Sequence, residues 1–201
     1  MKEILLIGAG GHCLSCIDVI ESEKKFKIVG LIDNKNIKMK YGYRVYAENS
    51  LKKFSKKIKY AFITVGQISN SKIREKLFKK VLKHGFQIPK IVSPISYVSK
   101  RANVGDGTII MHGSIINAGA VIGKNCIINN QALIEHDAII KDHCHISTNS
   151  TINGEVVVNK NSFIGSSAVI KQKIKIGENS FVNSNLFIEK NLKNNSKIYE
   201  K

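Results

Sequence analysis

The 201-residue chain is short of several residue types: it has no tryptophan, two prolines and four cysteines. It also has no run of 18 apolar residues, so the sequence predicts no membrane span. The apolar stretch in MKEILLIGAGGH ends at its glycines and is too short for a signal peptide. Without such a leader the expected location is the cytoplasm, where the cysteines are reduced thiols.

Arginine is scarce as well, with three arginines among 32 basic residues, against 15 acidic residues and a net charge of +17. The sequence has no arginine cluster and no DNA- or RNA-binding motif, so we expect no nucleic-acid partner. A positive field attracts anionic ligands such as nucleotides and coenzyme A. A general bias toward lysine, isoleucine and asparagine explains most of the charge.

The second half of the chain is an internal repeat with a period of six residues. Val or Ile fills sixteen consecutive positions at this spacing: Val98, Val104, Ile110, Ile116, Ile122, Ile128, Ile134, Ile140, Ile146, Ile152, Val158, Ile164, Ile170, Ile176, Val182 and Ile188. Four residues after most of them the side chain is small. Gly or Asn often follows the Val or Ile directly, which suits corners that need unusual backbone angles.

This period indicates short strands separated by corners, because it fits neither an α-helix nor a hairpin. Three sides of six residues close a coil of about 18 residues, and coils stack at about 4.8 Å with the Val and Ile side chains inside. The repeat resembles the hexapeptide-repeat acyltransferases, which fold as left-handed parallel β-helices. The resemblance alone implies the handedness, since crossovers between parallel strands are usually right-handed.

Alternating strands and helices precede the repeat and predict a small Rossmann-like βαβ domain with a parallel sheet. SKIREKLFKKVLKHG predicts an amphipathic helix with Ile73, Leu77, Val81 and Leu82 on its buried face. PKIVSP predicts a short last strand of this domain. The predicted fold class is therefore α/β plus all-β.

The domain boundary is predicted near residue 93, because the two prolines, Pro89 and Pro94, bracket the change of pattern. The expected units are an acceptor-binding domain at 1–93, a β-helix at 94–190 and a short C-terminal tail at 191–201.

A glycine loop, Gly8-Ala9-Gly10-Gly11-His12, follows the first predicted strand. Cys13 stands where a full dinucleotide fingerprint has its third glycine. Such loops hold phosphate at a helix N-terminus, and the alternative is a tight strand-to-helix turn. We expect no nicotinamide cofactor here.

Asp33 and Gly66 end the second and third predicted strands. Ribose or base is often bound at this edge of a parallel sheet, so both residues are candidates for the acceptor site. An ordinary turn or helix-capping residue is the alternative for Asp33.

The two halves together resemble the PglD/NeuD/PerB family of sugar acetyltransferases, on the evidence of GAGGH followed by hexads that contain EHDA and HCHIS. The resemblance implies transfer of acetyl from acetyl-CoA to an amine of a nucleotide-linked sugar, or to a hydroxyl of a sialic acid. It also implies a homotrimer with active sites between neighbouring β-helices.

His136 and Asp137 are the catalytic candidates. A histidine is the natural base near neutral pH, and a carboxylate partner fixes its tautomer and steadies the imidazolium. The resemblance places the family's catalytic histidine at His136 and its acidic partner at Asp137. The alternative is a solvated corner residue.

The resemblance supplies the other candidates. It places Asn129 and His12 near the acceptor and His145, whose side chain should point outward, near the acetyl donor. Gly154 and Gly165 are possible close-approach points for coenzyme A. Ordinary corner residues are the alternative for Asn129 and both glycines.

The remaining histidines, His84, His112 and His143, are expected at the surface. Cys13 and Cys16 form a CxxC at a helix start, but too few other ligands are near, so we expect packing and no metal. Cys126 and Cys144 are 18 residues apart and should be neighbours in the β-helix core.

The sequence thus predicts an acetyl-CoA-dependent N-acetyltransferase of a UDP-linked amino sugar in bacterial surface-glycan biosynthesis. The alternatives are sialic acid O-acetylation and a degenerate, non-catalytic protein that binds a nucleotide sugar. The chain ends NNSKIYEK, without the Gly-x-Pro-Ala type of tail that is usual in the family.

Overall fold

The computed structural model describes residues 1–34 and 37–200 and shows an α/β domain followed by a β-helix. The helices are α1 (Gly11–Glu23), α2 (Leu51–Phe54) and α3 (Lys72–Lys83), with a 3₁₀ turn at Glu48–Ser50. Strands of the first sheet are β1 (Lys2–Ile7), β2 (Phe26–Ile32), β3 (Met39–Lys40), β4 (Tyr43–Tyr46) and β5 (Tyr60–Ile63).

The order of the first sheet is β3-β4-β2-β1-β5, and all pairs except β3 with β4 are parallel. The chain runs from β1 outward to β2 and β4, and then returns to the other side of β1 with β5. The strand order therefore reverses at β1, and the crevice at the carboxyl ends of β1 and β5 is where such sheets bind ligands.

Every strand of the β-helix is two residues long. They are β6 (Ile91–Val92), β7 (Tyr97–Val98), β8 (Asn103–Val104), β9 (Ile109–Ile110), β10 (Ile115–Ile116), β11 (Val121–Ile122), β12 (Ile127–Ile128), β13 (Leu133–Ile134), β14 (Ile139–Ile140), β15 (His145–Ile146), β16 (Thr151–Ile152), β17 (Val157–Val158), β18 (Phe163–Ile164), β19 (Val169–Ile170), β20 (Lys175–Ile176), β21 (Phe181–Val182), β22 (Phe187–Ile188) and β23 (Lys197–Ile198).

These strands form three parallel ladders, one for each face of the prism. Face 1 is β6-β9-β12-β15-β18-β21-β23, face 2 is β7-β10-β13-β16-β19-β22, and face 3 is β8-β11-β14-β17-β20. Partners along a ladder are mostly 18 residues apart, as in Ile116 with Ile134. The arrangement confirms the predicted architecture and is consistent with a left-handed parallel β-helix.

The file of Val and Ile residues fills the core of the prism, as predicted. Fourteen of the sixteen, from Ile110 to Ile188, are buried, and Val98 and Val104 at the first coil pack against them. Cys126 and Cys144 lie in the same core and are fully buried, which confirms their packing role.

The corners of the coil differ from the sequence prediction. Residues with positive φ come three positions after fourteen of the sixteen Val or Ile residues, as at Asn125 and Gln131, and not directly after them. Glycines that follow directly, such as Gly105 and Gly123, are required by close stacking instead. A Cβ on Gly105 would lie 2.7 Å from the backbone of Gly123 in the next coil.

The β-helix extends beyond the predicted range of 94–190 at both ends. Strand β6, predicted as part of the first domain, pairs with β9 of face 1. At the other end Leu192 bridges to Ile176, and β23 pairs with β21. The residues predicted as a tail therefore continue the ladders as far as Ile198.

The buried face of helix α3 agrees with the prediction at Val81 and at half-buried Leu77, and differs from it at Ile73 and Leu82. Its buried residues are Arg74, Phe78 and Val81, whereas Ile73 is 66% exposed and Leu82 is 48% exposed. None of the helices in the described parts of the chain combines the length and the apolar character of a membrane-spanning helix.

Arg74 joins the two halves of the molecule and is 1% exposed. Its Nη1 donates to the carbonyl oxygens of Ile63 and Val65 after β5, each at 2.8 Å. Its Nε and Nη2 donate to the β-helix, at 3.2 Å to Asn125 O and 3.3 Å to Gly107 O. Burial lowers the pKa of Arg74 to about 10, so it remains a cation near neutral pH.

We expect Arg74→Met to lower the free energy of unfolding by about 3–5 kcal/mol. The substitution leaves four carbonyl oxygens without this hydrogen-bond donor, and buried polar groups without a partner are costly. Urea unfolding followed by circular dichroism measures this. Lys76→Met, at an exposed position of the same helix, is the control and should stay within about 0.5 kcal/mol of wild type. Equal stability of the two variants would contradict the junction described here.

Candidate functional site

His136 and Asp137 project from the corner between β13 and β14, where their side chains are 61% and 64% exposed. His136 Nδ1 lies 3.0 Å from Asp137 Oδ2, and the His136 amide donates to Glu135 Oε2 at 3.2 Å. The hydrogen bond with Asp137 raises the pKa of His136 above its ordinary value, and the charges of Asp137, Glu135 and Glu155 add to the effect. With the Nδ1 proton directed at Asp137, Nε2 is the proton acceptor of the neutral ring.

The imidazole of His136 lies across Gly154 in the next coil. A Cβ on Gly154 would be 2.6 Å from His136 Nε2. The predicted close-approach glycine is thus in contact with the candidate base. Gly165 is different, because the backbone of Asn183 and Ser184 lies over it, as expected for an ordinary corner glycine.

The glycine loop forms the sharp connection between β1 and α1. Gly8 has φ +105°, and a Cβ there would lie 2.4 Å from a methyl group of Val65. Gly10 and Gly11 have open space beside them and precede or begin α1. The Ala9 amide donates to Asp33 Oδ2 at 2.8 Å, so Asp33 ties the loop to the end of β2.

A cavity of about 160 Å³ opens at the carboxyl ends of β1 and β2. Its lining is mainly apolar with a few polar groups: Ile7, Gly8, Ile32, Asp33, Asn34, Glu48, Val65, Ile73 and Leu77. Such a lining suits a ring held by apolar contacts and a few hydrogen bonds.

His12 stands in the first turn of α1, against Gly66. A Cβ on Gly66 would lie 3.3 Å from His12 Cβ. His12 Nε2 is buried and has no hydrogen-bond partner in the described part of the chain. Burial lowers the pKa of His12 to about 3, and the charges of Arg74 and His145 contribute. The ring is therefore neutral and has an unused nitrogen.

Asn129 and His145 form a chain of hydrogen bonds that ends on the first domain. Asn129 Nδ2 donates to His145 Nε2 at 3.2 Å, and His145 Nδ1 donates to Gln67 O at 2.5 Å. Burial lowers the pKa of His145 to about 4; the bond to Gln67 opposes this, and Arg74 adds to it. His145 does point away from the coil, but the first domain covers it, and its contact with an acetyl donor stays a prediction.

The predicted site residues fall into two groups within one chain. His136, Asp137 and Gly154 lie at the corner between faces 2 and 3. Asn129 and Gly165 lie at the corner between faces 1 and 2, on the side of the first domain. Face 2 separates the groups, and it carries exposed Tyr97, Ile115 and Phe187.

All three histidines predicted at the surface make hydrogen bonds, and that of His84 is local, with Nδ1 2.8 Å from Lys80 O in α3. His143 Nδ1 lies 2.8 Å from Asn125 Nδ2, and its ring packs edge-on against Phe78. His112 bridges the halves, with Nδ1 2.7 Å from Ser93 Oγ and Nε2 2.8 Å from Asp18 Oδ2. The surface assignment was wrong for His143 and His112, because their partners come from elements distant in the sequence.

Residues 1–34 and 37–200 contain no group of three or more His, Cys, Asp or Glu side chains placed to hold a metal ion. Sequence reasoning missed Gln67, Arg74 and Gly119. Gln67 accepts a hydrogen bond from His145, Gly119 lies against Asp137, and Arg74 binds the carbonyl groups at the end of β5. The 18-residue coil length could have identified Gly119, since it lies one coil below Asp137.

Two known families match parts of the chain. Residues 3–81 match the PglD N-terminal domain. Residues 101–136 and 119–154 match the bacterial transferase hexapeptide of six repeats. Both halves of the resemblance seen in the sequence are thereby confirmed.

Several solved structures share the complete fold. PerB from Caulobacter crescentus, in complex with CoA and GDP-perosamine, is 25% identical with a TM-score of 0.91, over 98% of this chain and 93% of that chain. The acetyltransferase domain of PglB from Neisseria gonorrhoeae, in complex with acetyl coenzyme A, is 23% identical with a TM-score of 0.90, over 98% and 95%. WeeI from Acinetobacter baumannii is 22% identical with a TM-score of 0.84, over 98% and 96%.

The burial of His145 predicts a pH dependence of stability. Its folded pKa of about 4 lies below the ordinary value of 6.5, so the unfolded chain binds the proton more readily. The stabilisation is complete above the unfolded pKa and is lost as pH falls toward 4. Between pH 7 and pH 5 it should decrease by about 1–2 kcal/mol.

His145→Gln, which has no titrating ring, isolates this contribution. The difference in free energy of unfolding between wild type and His145→Gln should shrink by that amount from pH 7 to pH 5 in urea unfolding. Ile95→Ala, at an exposed position without a titrating side chain, serves as the control, with a difference that stays constant. A constant difference for His145→Gln as well would argue against a neutral buried ring.

Proposed function

We propose that this chain, a member of the PglD/NeuD/PerB-type sugar acetyltransferases, transfers acetyl from acetyl-CoA to the amine of a nucleotide-linked sugar. The observation that carries the proposal is the exposed His136–Asp137 pair, whose Nε2 lies beside a residue without a side chain. The proposed setting is surface-glycan biosynthesis in the bacterial cytoplasm.

In the proposed step the sugar amine attacks the carbonyl carbon of the thioester, and a C–N bond forms as the C–S bond breaks. His136 Nε2 takes the proton from the amine, and Asp137 steadies the imidazolium through Nδ1. Backbone N–H groups hold the developing oxyanion. The thiolate of coenzyme A leaves and can take the proton back from His136. The proposed step uses no metal.

The first domain is proposed to bind the nucleotide of the acceptor. Gly10 and Gly11 leave the backbone at the start of α1 open to a diphosphate, which a helix N-terminus favours, and Gly8 allows the tight loop before them. Asp33 and Gly66 flank this loop, and the apolar cavity beside Asp33 suits the base. His12, with its unpartnered Nε2, and Asn129 then face the sugar.

UDP is the nucleotide proposed from the sequence, whereas the PerB complex contains GDP-perosamine. Competition by free UDP and free GDP against the acceptor decides between them. Acetyl-CoA is the proposed donor, and Gly154, which lies against the base, is the proposed close-approach point for it. The PglB domain was solved with acetyl coenzyme A.

A homotrimer is part of the proposal, because one chain separates the two groups of site residues. The base is at one edge of face 2, and Asn129 with the first domain is at the other edge. A neighbouring copy packed against face 2 brings its own base to the acceptor-binding corner. The exposed Tyr97, Ile115 and Phe187 make that face suitable for burial.

His136→Ala should lower kcat by about 10²–10⁴-fold, the range usual for removal of a general base, with little change in acceptor binding. The measurement is release of coenzyme A with a panel of UDP- and GDP-linked amino sugars and free sialic acid. His84→Ala, at the end of α3, is the control and should keep wild-type turnover. Activity of His136→Ala within a few-fold of wild type would assign the base to another group.

The same panel tests the other functions. Turnover of sialic acid alone would replace N-acetylation by O-acetylation. A rise in melting temperature with the nucleotide sugar, but no turnover of any acceptor, would indicate a non-catalytic binding protein, since ligands stabilise what they bind.

Light scattering should give the mass of three chains at micromolar concentration. Mixed trimers of His136→Ala and His12→Ala chains should regain activity, because some interfaces then combine an intact base with an intact acceptor side. Wild type mixed with His136→Ala is the control for the exchange of chains. A monomer mass, or no recovery after proven exchange, would rule out the shared site.

A further inference from the structure

We propose that Gly119 and Gly154 are positioning residues that form two slots, one for the Asp137 carboxylate and one for the His136 imidazole. The inference rests on the proposed function, because it assigns His136 as the base. It concerns why the pair holds one geometry at an exposed corner, where both side chains would otherwise rotate freely in water.

The first slot is at Gly119, one coil below Asp137. A Cβ at Gly119 would lie 2.2 Å from Asp137 Oδ1 and 3.1 Å from its Cγ. These distances are far inside van der Waals contact, so the carboxylate occupies the space that any side chain at 119 would need. Asp137 itself has φ +57°, and this backbone conformation directs its side chain back across the coil below.

The second slot is at Gly154, one coil above His136. A Cβ there would lie 2.6 Å from Nε2, 2.7 Å from Cε1 and 3.3 Å from Cδ2 of the imidazole. The ring thus occupies the space that a side chain at 154 would need, and Gly154 is buried although it lies at the surface of the coil. Because neither slot is filled by a side chain, His136 Nδ1 lies 3.0 Å from Asp137 Oδ2.

The slots matter because, among residues 1–34 and 37–200, the His136 ring has no hydrogen-bond partner other than Asp137. Glu135 accepts from the His136 amide and Glu155 faces Lys173 at 3.6 Å, so neither of these carboxylates is bonded to the imidazole. Filling the Gly119 slot should push Asp137 away from Nδ1. His136 then loses its main partner, while its own residue and backbone remain unchanged.

Gly119→Ala tests the first slot, and Gly113→Ala is its matched control. Gly113 stands six residues earlier at the same kind of corner, with φ +68° against +78° at Gly119. A Cβ at Gly113 would meet only Gln131 Cγ, at 3.4 Å. Both variants therefore carry the same backbone strain, but only Gly119→Ala displaces the carboxylate.

The first readout is the pKa of His136, followed by NMR titration of its ring protons. Asp137 raises this pKa in the wild type, so it should fall toward the ordinary histidine value in Gly119→Ala and stay raised in Gly113→Ala. The charges around the ring, from Glu135, Glu155 and Lys173, are the same in both variants. An unchanged pKa in Gly119→Ala would overturn the first slot.

The second readout is kinetic. Turnover should fall about 10-fold or more in Gly119→Ala, with the acidic limb of the pH–rate profile moved to lower pH along with the pKa. Gly154→Ala should lose a similar factor or more, because its methyl group expels the ring, while its melting temperature stays close to that of the wild type because Gly154 has no positive φ. Wild-type turnover in Gly154→Ala would overturn the second slot.

The two readouts separate this proposal from the proposed function. If the wild type transfers no acetyl group to any acceptor, the proposed function fails, while the NMR titration still decides whether Gly119 holds Asp137 against His136. If the wild type is active and the titration shows no difference between Gly119→Ala and Gly113→Ala, the slots fail alone.

Discussion

The buried guanidinium of Arg74 is the contact on which the relation between the two halves depends. A planar cation with several fixed donors can satisfy carbonyl groups from two different elements at the same time. The Arg74 guanidinium donates hydrogen bonds to two carbonyl groups at the end of β5 and to two in the first coils of the β-helix. Gln67 of the first domain closes the same junction, because its Nε2 donates to His143 O and its carbonyl oxygen accepts from His145. The crevice at the carboxyl ends of β1 and β5 is therefore held at a fixed height on the prism.

The second constraint is the corner geometry of the coil. Most corners contain one residue with positive φ, and asparagine tolerates this conformation better than most residues with a side chain. Asparagine accordingly fills this position at Asn125, Asn149, Asn161, Asn179, Asn185 and Asn195. Part of the asparagine bias that composition alone would assign to the genome thus has a structural cause. Asp137 occupies this same type of position, so the corner that turns the chain also aims the carboxylate.

The sequence was sufficient for features that repeat and insufficient for those that occur once. The file from Val98 to Ile188 identified the prism and its interior, because a period of six repeated sixteen times has one geometric solution. The exposed corner of His136 followed from the same register. Arg74 was not predictable, because a charged side chain is normally solvated and its carbonyl partners are 9 to 51 residues away. The contacts of His112 and His143 were not predicted for the same reason.

The 18-residue coil also restricts how this chain can change in length. Six added residues between Asn125 and His136 would move His136 to the next corner, so that the pair would face a different side of the prism. Eighteen added residues would restore the corner but raise the pair by about 4.8 Å relative to the junction. No insertion in this segment preserves both direction and height. Coils beyond Lys173 are free of this restriction, and the prism can gain or lose whole turns there without moving the pair.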